Sequence, residues 1–115
     1  TAYDMYLIFN EALKYDTVNE IISMTSYDTV YTDKNGNEKT LSVKNTNQYL
    51  AGNVAAPARV TVIGGKTGTT SAAGNCLILL ARDTSGNPYI AVILKSAERG
   101  ILYTEMNALL KQATS

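Results

Sequence analysis

The chain contains no histidine, and that absence removes the Ser-His-Asp triad and most zinc sites from consideration. Its one cysteine, Cys76, has no partner for an intramolecular disulfide. Within the apolar run Asn75 to Ala81, Cys76 is expected to be a small buried residue, since a reactive thiol needs a basic neighbour. No block or stripe of basic residues accompanies the formal net charge of +0, so neither nucleic acid nor an anionic membrane surface is indicated as a partner. No apolar stretch approaches the roughly 20 residues that span a bilayer, and no signal peptide is recognisable. Asp16, Glu20, Asp28, Asp33 and Glu38 fall on apparent helix ends and hairpin surfaces, which disfavours a glycosidase or metal-carboxylate centre. No metal site and no cofactor is expected.

With 115 residues, 45% of them hydrophobic and 17% charged, the chain is long and apolar enough for one domain with its own core. Ala2, Met5, Tyr6, Phe9, Ala12 and Leu13 recur at helical spacing, and Thr1 with Asp4 resembles a capping pair. A second, shorter helix is expected from Thr17, with Glu20 three residues on and Val18, Ile21 and Ile22 as its apolar side. Ser26 to Thr32 and Glu38 to Lys44 are β-prone runs around Asn35-Gly36 and predict a hairpin. Asn45-Thr46-Asn47 reads as a capped turn in which asparagine side chains satisfy local backbone groups. Cys76 to Arg82 and Tyr89 to Leu94 suit strands buried on both faces, joined by Asp83 to Pro88. Ile101, Leu102, Met106, Leu109 and Leu110 form a helical stripe expected to lie across the sheet.

The chain's chemistry concentrates in Val60-Thr61-Val62-Ile63-Gly64-Gly65-Lys66-Thr67-Gly68-Thr69-Thr70. Its apolar start is β-branched and suits a half-buried pleated surface. Gly64, Gly65 and Gly68 remove bulk around Lys66, so another backbone or an extended ligand can approach. Lys66 offers a positive charge, and Thr67 and Thr69, two residues apart, project to one face of a strand. Such a set suits a groove that holds an anion. The competing reading is an ordinary solvated turn at a strand end. A phosphate loop is disfavoured, because position 60 is Val60 where Gly-x-x-x-x-Gly-Lys-[ST] demands glycine.

Lys66-Thr67-Gly68 is one of three signature elements of penicillin-binding proteins and serine β-lactamases. The longer run Gly65 to Leu77, followed by Pro88 to Leu94, resembles the C-terminal portion of the low-molecular-mass D-alanyl-D-alanine carboxypeptidases, serine enzymes that trim peptidoglycan stem peptides. Thr1-Ala2-Tyr3-Asp4-Met5 and Asn45-Thr46-Asn47-Gln48-Tyr49-Leu50 resemble that family too, in its order, so the resemblance covers nearly the whole chain. It implies an α+β fold, an antiparallel sheet packed with helices, as a partial β-lactamase/transpeptidase-like fold lacking its N-terminal strands and nucleophile helix.

The same resemblance implies roles for particular residues. Lys66 and Thr69 would be catalytic, the latter through its N–H as an oxyanion donor, while Thr67, Gly68, Thr69 and Arg99 would bind substrate. Arg99 is also readable as an exposed surface residue. No serine lies three residues before a lysine and no Ser-x-Asn triplet fits the second signature, so residues 1–115 are expected to be a C-terminal segment of a penicillin-binding catalytic domain, inactive alone. D-Ala-D-Ala peptides and β-lactams are the implied partners of the complete domain, and the implied location is the outer face of the cytoplasmic membrane or the cell wall. A missing N-terminal segment would leave a sheet edge open, from which a homodimer, a strand-swapped assembly or association with that segment is expected. A transpeptidase or β-lactamase on the same scaffold stays open as an alternative.

Overall fold

A computed structural model describes all residues, 1–115, as three helices and two antiparallel sheets. The elements run α1 (Ala2–Ala12), α2 (Asp16–Ser23), β1 (Ser26–Thr32), β2 (Glu38–Lys44), β3 (Val60–Thr70), β4 (Gly74–Asp83), β5 (Pro88–Ser96) and α3 (Arg99–Ala113). β1 and β2 form a separate hairpin, and the larger sheet has the order β3-β4-β5. β3 is therefore an edge strand of that sheet.

Local chemistry sets the boundaries. Thr1 Oγ1 accepts the Asp4 N–H at 3.1 Å and completes the expected cap of α1. α2 starts one residue earlier than expected, with Tyr15 as N-cap and no side-chain cap. Both hairpin turns use one device: Asp33 Oδ1 accepts the N–H groups of Asn35 and Asn37, and Asp83 Oδ1 those of Ser85 and Asn87. Gly36 and Gly86 follow in the left-handed region, at φ 81 and 83. The Asn87 side-chain amide, with these backbone donors, holds the Asp83 carboxyl below its usual range.

The core forms on both faces of β4, whose Leu77 to Ala81 are all buried, as expected for a central strand. On one face Leu77, Leu79 and Ala81 meet Leu102, Tyr103, Met106 and Leu110 of α3. On the other, Ile78 and Leu80 meet Phe9 of α1. Burying each large side chain fully contributes about 1.5–3 kcal/mol. Four expectations need correction. Ile101 and Leu109 turn outward, because α3 buries the face of Leu102, Met106, Leu110 and Tyr103, while Leu109 lies at the edge of that face away from Tyr103 and Ile101 about 140° round the helix from Met106. In α1 only Phe9 is buried; of the rest of the expected face, Ala12 and Leu13 are half-buried, with Leu13 packed against the cluster around Phe9, while Ala2, Met5 and Tyr6 are exposed. Leu94 of β5 is exposed, where burial on both faces was expected. Cys76 is only partly covered, because Gly68 opposite it has no side chain to lay over it, and its thiol donates weakly to the carbonyl of Ala73 at 3.4 Å.

The segment after β2 is tied down along its length. Asn45 Nδ2 donates to the Met24 carbonyl at 2.7 Å, Asn45 Oδ1 accepts the Asn47 N–H at 2.8 Å, and Asn47 Oδ1 accepts the Tyr49 N–H at 3.1 Å. Asn47 is fully buried and its Nδ2 has no partner, an uncommon state for a buried amide. The Tyr103 hydroxyl accepts the Gln48 N–H at 3.1 Å, and Tyr49 Oη donates to Asn107 Oδ1 at 2.7 Å. This fastens the segment to α3.

Tyr49 also makes the segment sensitive to alkali. Burial, and secondarily the neighbouring Tyr103, pushes its hydroxyl up to about 12 from 10.0. A folded-state value above the unfolded one means the contribution is whole below pH 10 and is lost as pH climbs towards 12. Near-ultraviolet circular dichroism should therefore show a loosening in that window, and Tyr49→Phe should shrink it. An unchanged alkaline transition in the variant would show that Tyr49 does not drive it.

Candidate functional site

β3 carries one irregularity, and it sits just ahead of the lysine. Val62 pairs with Ala81 and Gly64 with Leu80, leaving Ile63 as an extra, bulged residue. Beyond it, cross-strand partners share a face. Gly65, Thr67 and Thr69 stand opposite Leu79, Leu77 and Asn75, on the face that α3 covers. Gly64, Lys66 and Gly68 stand opposite Leu80, Ile78 and Cys76, on the α1 face. Thr67 and Thr69 thus share a face as expected, while Lys66 leaves from the other and reaches round the open edge. Its Nζ donates to the Thr67 carbonyl.

The glycines divide their work differently from the expectation that all three open space at Lys66. A Cβ on Gly64 would lie 2.5 Å from the Ile22 carbonyl oxygen, so that glycine admits the end of α2. A Cβ on Gly65 would lie 2.1 Å from the Ile78 carbonyl oxygen, so that one serves the sheet itself. Gly68 has nothing within 4 Å of such an atom and alone faces open space.

Between the end of β3, the segment after β2 and the start of α3 lies a groove of about 340 Å³. Lys66, Thr67, Gly68, Thr69 and Arg99 all line it, together with Thr46, Gln48, Asn75, Leu102 and Tyr103. Two cations and no carboxylate border it, in a chain whose net charge is zero. The two ion pairs of the structure, at Thr1–Asp4 and Lys14–Glu11, lie elsewhere, so Lys66 and Arg99 are free of acidic partners. Thr46 Oγ1 and Thr67 Oγ1 are hydrogen-bonded at 2.5 Å. Thr69 Oγ1 lies 3.4 Å from Asn75 Oδ1, and Asn75 Nδ2 donates to the Ser96 carbonyl at 3.2 Å. Ser96 Oγ in turn donates to Glu105 Oε1 at 2.8 Å, which ties the groove floor to α3.

A sequence model of the D-alanyl-D-alanine carboxypeptidase family matches residues 1–98. The chain belongs to that family. Among solved structures it is similar to the Streptomyces K15 DD-transpeptidase, in a variant with an arginine replaced by leucine, at 26% identity and a TM-score of 0.72. The match covers 87% of this chain and 36% of that one, so the chain spans about a third of the length of this structural relative. No curated protein matches the sequence significantly. Family and fold agree on a DD-carboxypeptidase/transpeptidase-like architecture, and the α+β arrangement of antiparallel strands and helices matches part of it.

The structure brings together Lys66, Thr67, Gly68, Thr69 and Arg99 in one groove, although Arg99 lies 33 residues after Lys66 in the chain. It adds Thr46, Gln48, Asn75 and Tyr103. Tyr103 had a signal, three residues before the stripe member Met106 and one after Leu102. Thr46 falls in the run Asn45 to Leu50 that resembles the family, but nothing local announces its contact with Thr67, which crosses 21 positions between separate elements. No group of histidine, cysteine or carboxylate side chains is placed to hold a metal ion.

Proposed function

We propose that this chain is the C-terminal segment of a serine-type D-Ala-D-Ala carboxypeptidase domain and supplies the half of the cleft that receives the carboxyl end of a peptidoglycan stem peptide. The observation that carries this reading is the edge-strand groove with Arg99, Lys66 and two threonine hydroxyls and no acid. In this reading Arg99 and Thr67 hold the terminal carboxylate by charge-assisted hydrogen bonds. Gly68 leaves room for the peptide to lie along β3, adding a strand at its edge. The Thr69 N–H serves as an oxyanion donor, a contribution worth about 3 kcal/mol to the transition state where such donors have been removed. Lys66, on the α1 face, sets the positive field on the side from which a nucleophile would attack.

Acyl transfer also needs a nucleophile and a proton acceptor. No Ser-x-x-Lys occurs in the 115 residues, and the one Ser-x-Asn triplet, Ser85-Gly86-Asn87, lies in the turn between β4 and β5, after Lys66-Thr67-Gly68 in the chain, where it does not fit the second signature. The chain alone is therefore expected to bind but not to react. Incubation with penicillin should leave the intact mass unchanged, and an acyl adduct on the chain would overturn the reading. Binding is read separately: a capped D-Ala-D-Ala peptide should shift the amide resonances of Thr67 and Thr69, and its carboxamide analogue should not. A transpeptidase role, the activity in the name of the Streptomyces relative, would use the same groove with an amine as acceptor in place of water. The proposed location is outside the cytoplasmic membrane. No helix here is long and apolar enough to cross one.

A second reading has its own observation. Tyr27, Leu41 and Val43 share one face of the β1–β2 hairpin, all exposed, and Tyr27 and Val43 border a cavity of about 630 Å³ with Ile21, Ile22 and Met24. With the open edge of β3 beside it, this surface suits association with a further segment of the domain, or a homodimer or strand-swapped assembly. Sedimentation at rising concentration distinguishes them: a monomer throughout would remove the oligomer.

A further inference from the structure

We infer that Thr46 is a positioning residue for the carboxylate subsite: its hydroxyl donates to Thr67 Oγ1 and thereby leaves the Thr67 proton free for a bound anion. The inference rests on the carboxylate-binding reading above and goes beyond it, to a residue outside the Lys-Thr-Gly strand. Thr46 and Thr67 face each other at 2.5 Å, and one hydrogen bond between two hydroxyls uses one of their two protons. If Thr67 donates, its oxygen shows the groove only lone pairs, which repel a carboxylate. If Thr46 donates, the Thr67 proton is free to enter the groove, and its oxygen is polarised as a better donor. An anion beside Arg99 therefore selects the second arrangement.

Thr46 is fitted for this because its backbone is held from three sides. Gln48 Nε2 donates to the Thr46 carbonyl at 3.2 Å, the Asn45 side chain anchors the preceding residue to Met24, and the Tyr103 hydroxyl holds Gln48 to α3. Tyr103 and Arg99 lie on that same helix, one turn apart, so the clamp sets the hydroxyl pair and the guanidinium relative to each other. Thr46 itself is exposed, and losing its hydroxyl removes no core packing.

The test titrates the 115-residue chain with a capped D-Ala-D-Ala peptide and with its carboxamide analogue, following the amide resonances of Thr67 and Thr69, in the parent, Thr46→Val and Thr46→Ser. Thr46→Val should weaken carboxylate binding about two- to tenfold, the size of one lost hydrogen bond between neutral hydroxyls that orients and polarises Thr67, while thermal unfolding stays where it was. Thr46→Ser should restore most of the affinity. Equal binding by parent and Thr46→Val overturns the role of Thr46 and leaves the subsite reading standing. No preference for carboxylate over carboxamide in the parent overturns the subsite reading and this inference with it. Weakened binding in Thr46→Ser as large as in Thr46→Val would mean that a hydroxyl at this position does not support the subsite, and would overturn the donor role.

Discussion

Replacing Arg99 by glutamine should weaken binding of a capped D-Ala-D-Ala peptide by about ten- to a hundredfold, the scale of a charge-assisted hydrogen bond lost from a partly screened site. The effect is expected to be large because nothing else in the groove duplicates the guanidinium. Lys66 is the other cation, and its ammonium is turned to the Thr67 carbonyl from the far face of β3. Arg99 has no acidic partner to be released from, so no stabilising ion pair is lost with it, and unfolding should be little changed. Lysine at this position should recover only part of the affinity, since an ammonium presents a point charge where a planar fork matches two carboxylate oxygens. Raising salt should reduce the parent's affinity and flatten the difference between parent and Arg99→Gln, because the residue is exposed. Peptide affinity in Arg99→Gln equal to the parent's would remove Arg99 from the subsite.

Gly65→Ala should be the most damaging conservative change in the strand. The added methyl would stand 2.1 Å from the Ile78 carbonyl oxygen and 2.9 Å from a Leu79 methyl, and the first of these is backbone within the β3–β4 ladder. Relieving it means separating strands that support both halves of the core. Overpacking of this kind costs about 1–3 kcal/mol or more, against a total stability of about 5–15 kcal/mol for an ordinary domain. Gly68→Ala provides the contrast, since its methyl would meet nothing within 4 Å on the open side of the strand. Urea unfolding of the two variants side by side should place the midpoint of Gly65→Ala well below that of Gly68→Ala. Equal midpoints would mean that the strands separate at little cost.

Much of this arrangement is legible in the sequence because each element carries a local signature. The Thr1–Asp4 cap, the Asp-initiated turns with Gly36 and Gly86, and the continuous apolar run of β4 all arise from residues near one another in the chain. The groove's principal residues follow from the Lys66-Thr67-Gly68 strand and the family resemblance. Other features depend on contacts between distant segments. Periodicity puts Ile101 and Leu109 on the apolar stripe of α3, yet only packing decides that Tyr103 is buried in their stead. Thr17 and Glu20 have the spacing of a cap, but α2 begins at Asp16 because the chain enters it from Tyr15. Thr46 reads as a turn residue until β3 is seen beside it, and the three glycines look alike until Ile22 and Ile78 fill the space next to two of them.

The extra residue at Ile63 carries a consequence for how the motif is handed to its surroundings. A strand alternates with a period of two, so one unpaired residue is a half-period phase shift. Had the ladder run regularly onward from Val62 opposite Ala81, Lys66 would stand against Leu77 and Thr67 against Cys76. The lysine and the threonines would then trade faces, and the face that α3 covers would carry the Lys66 side chain in place of two alcohols. The parity of β3 is thus written upstream of the motif it serves, in a position that contributes no functional group of its own.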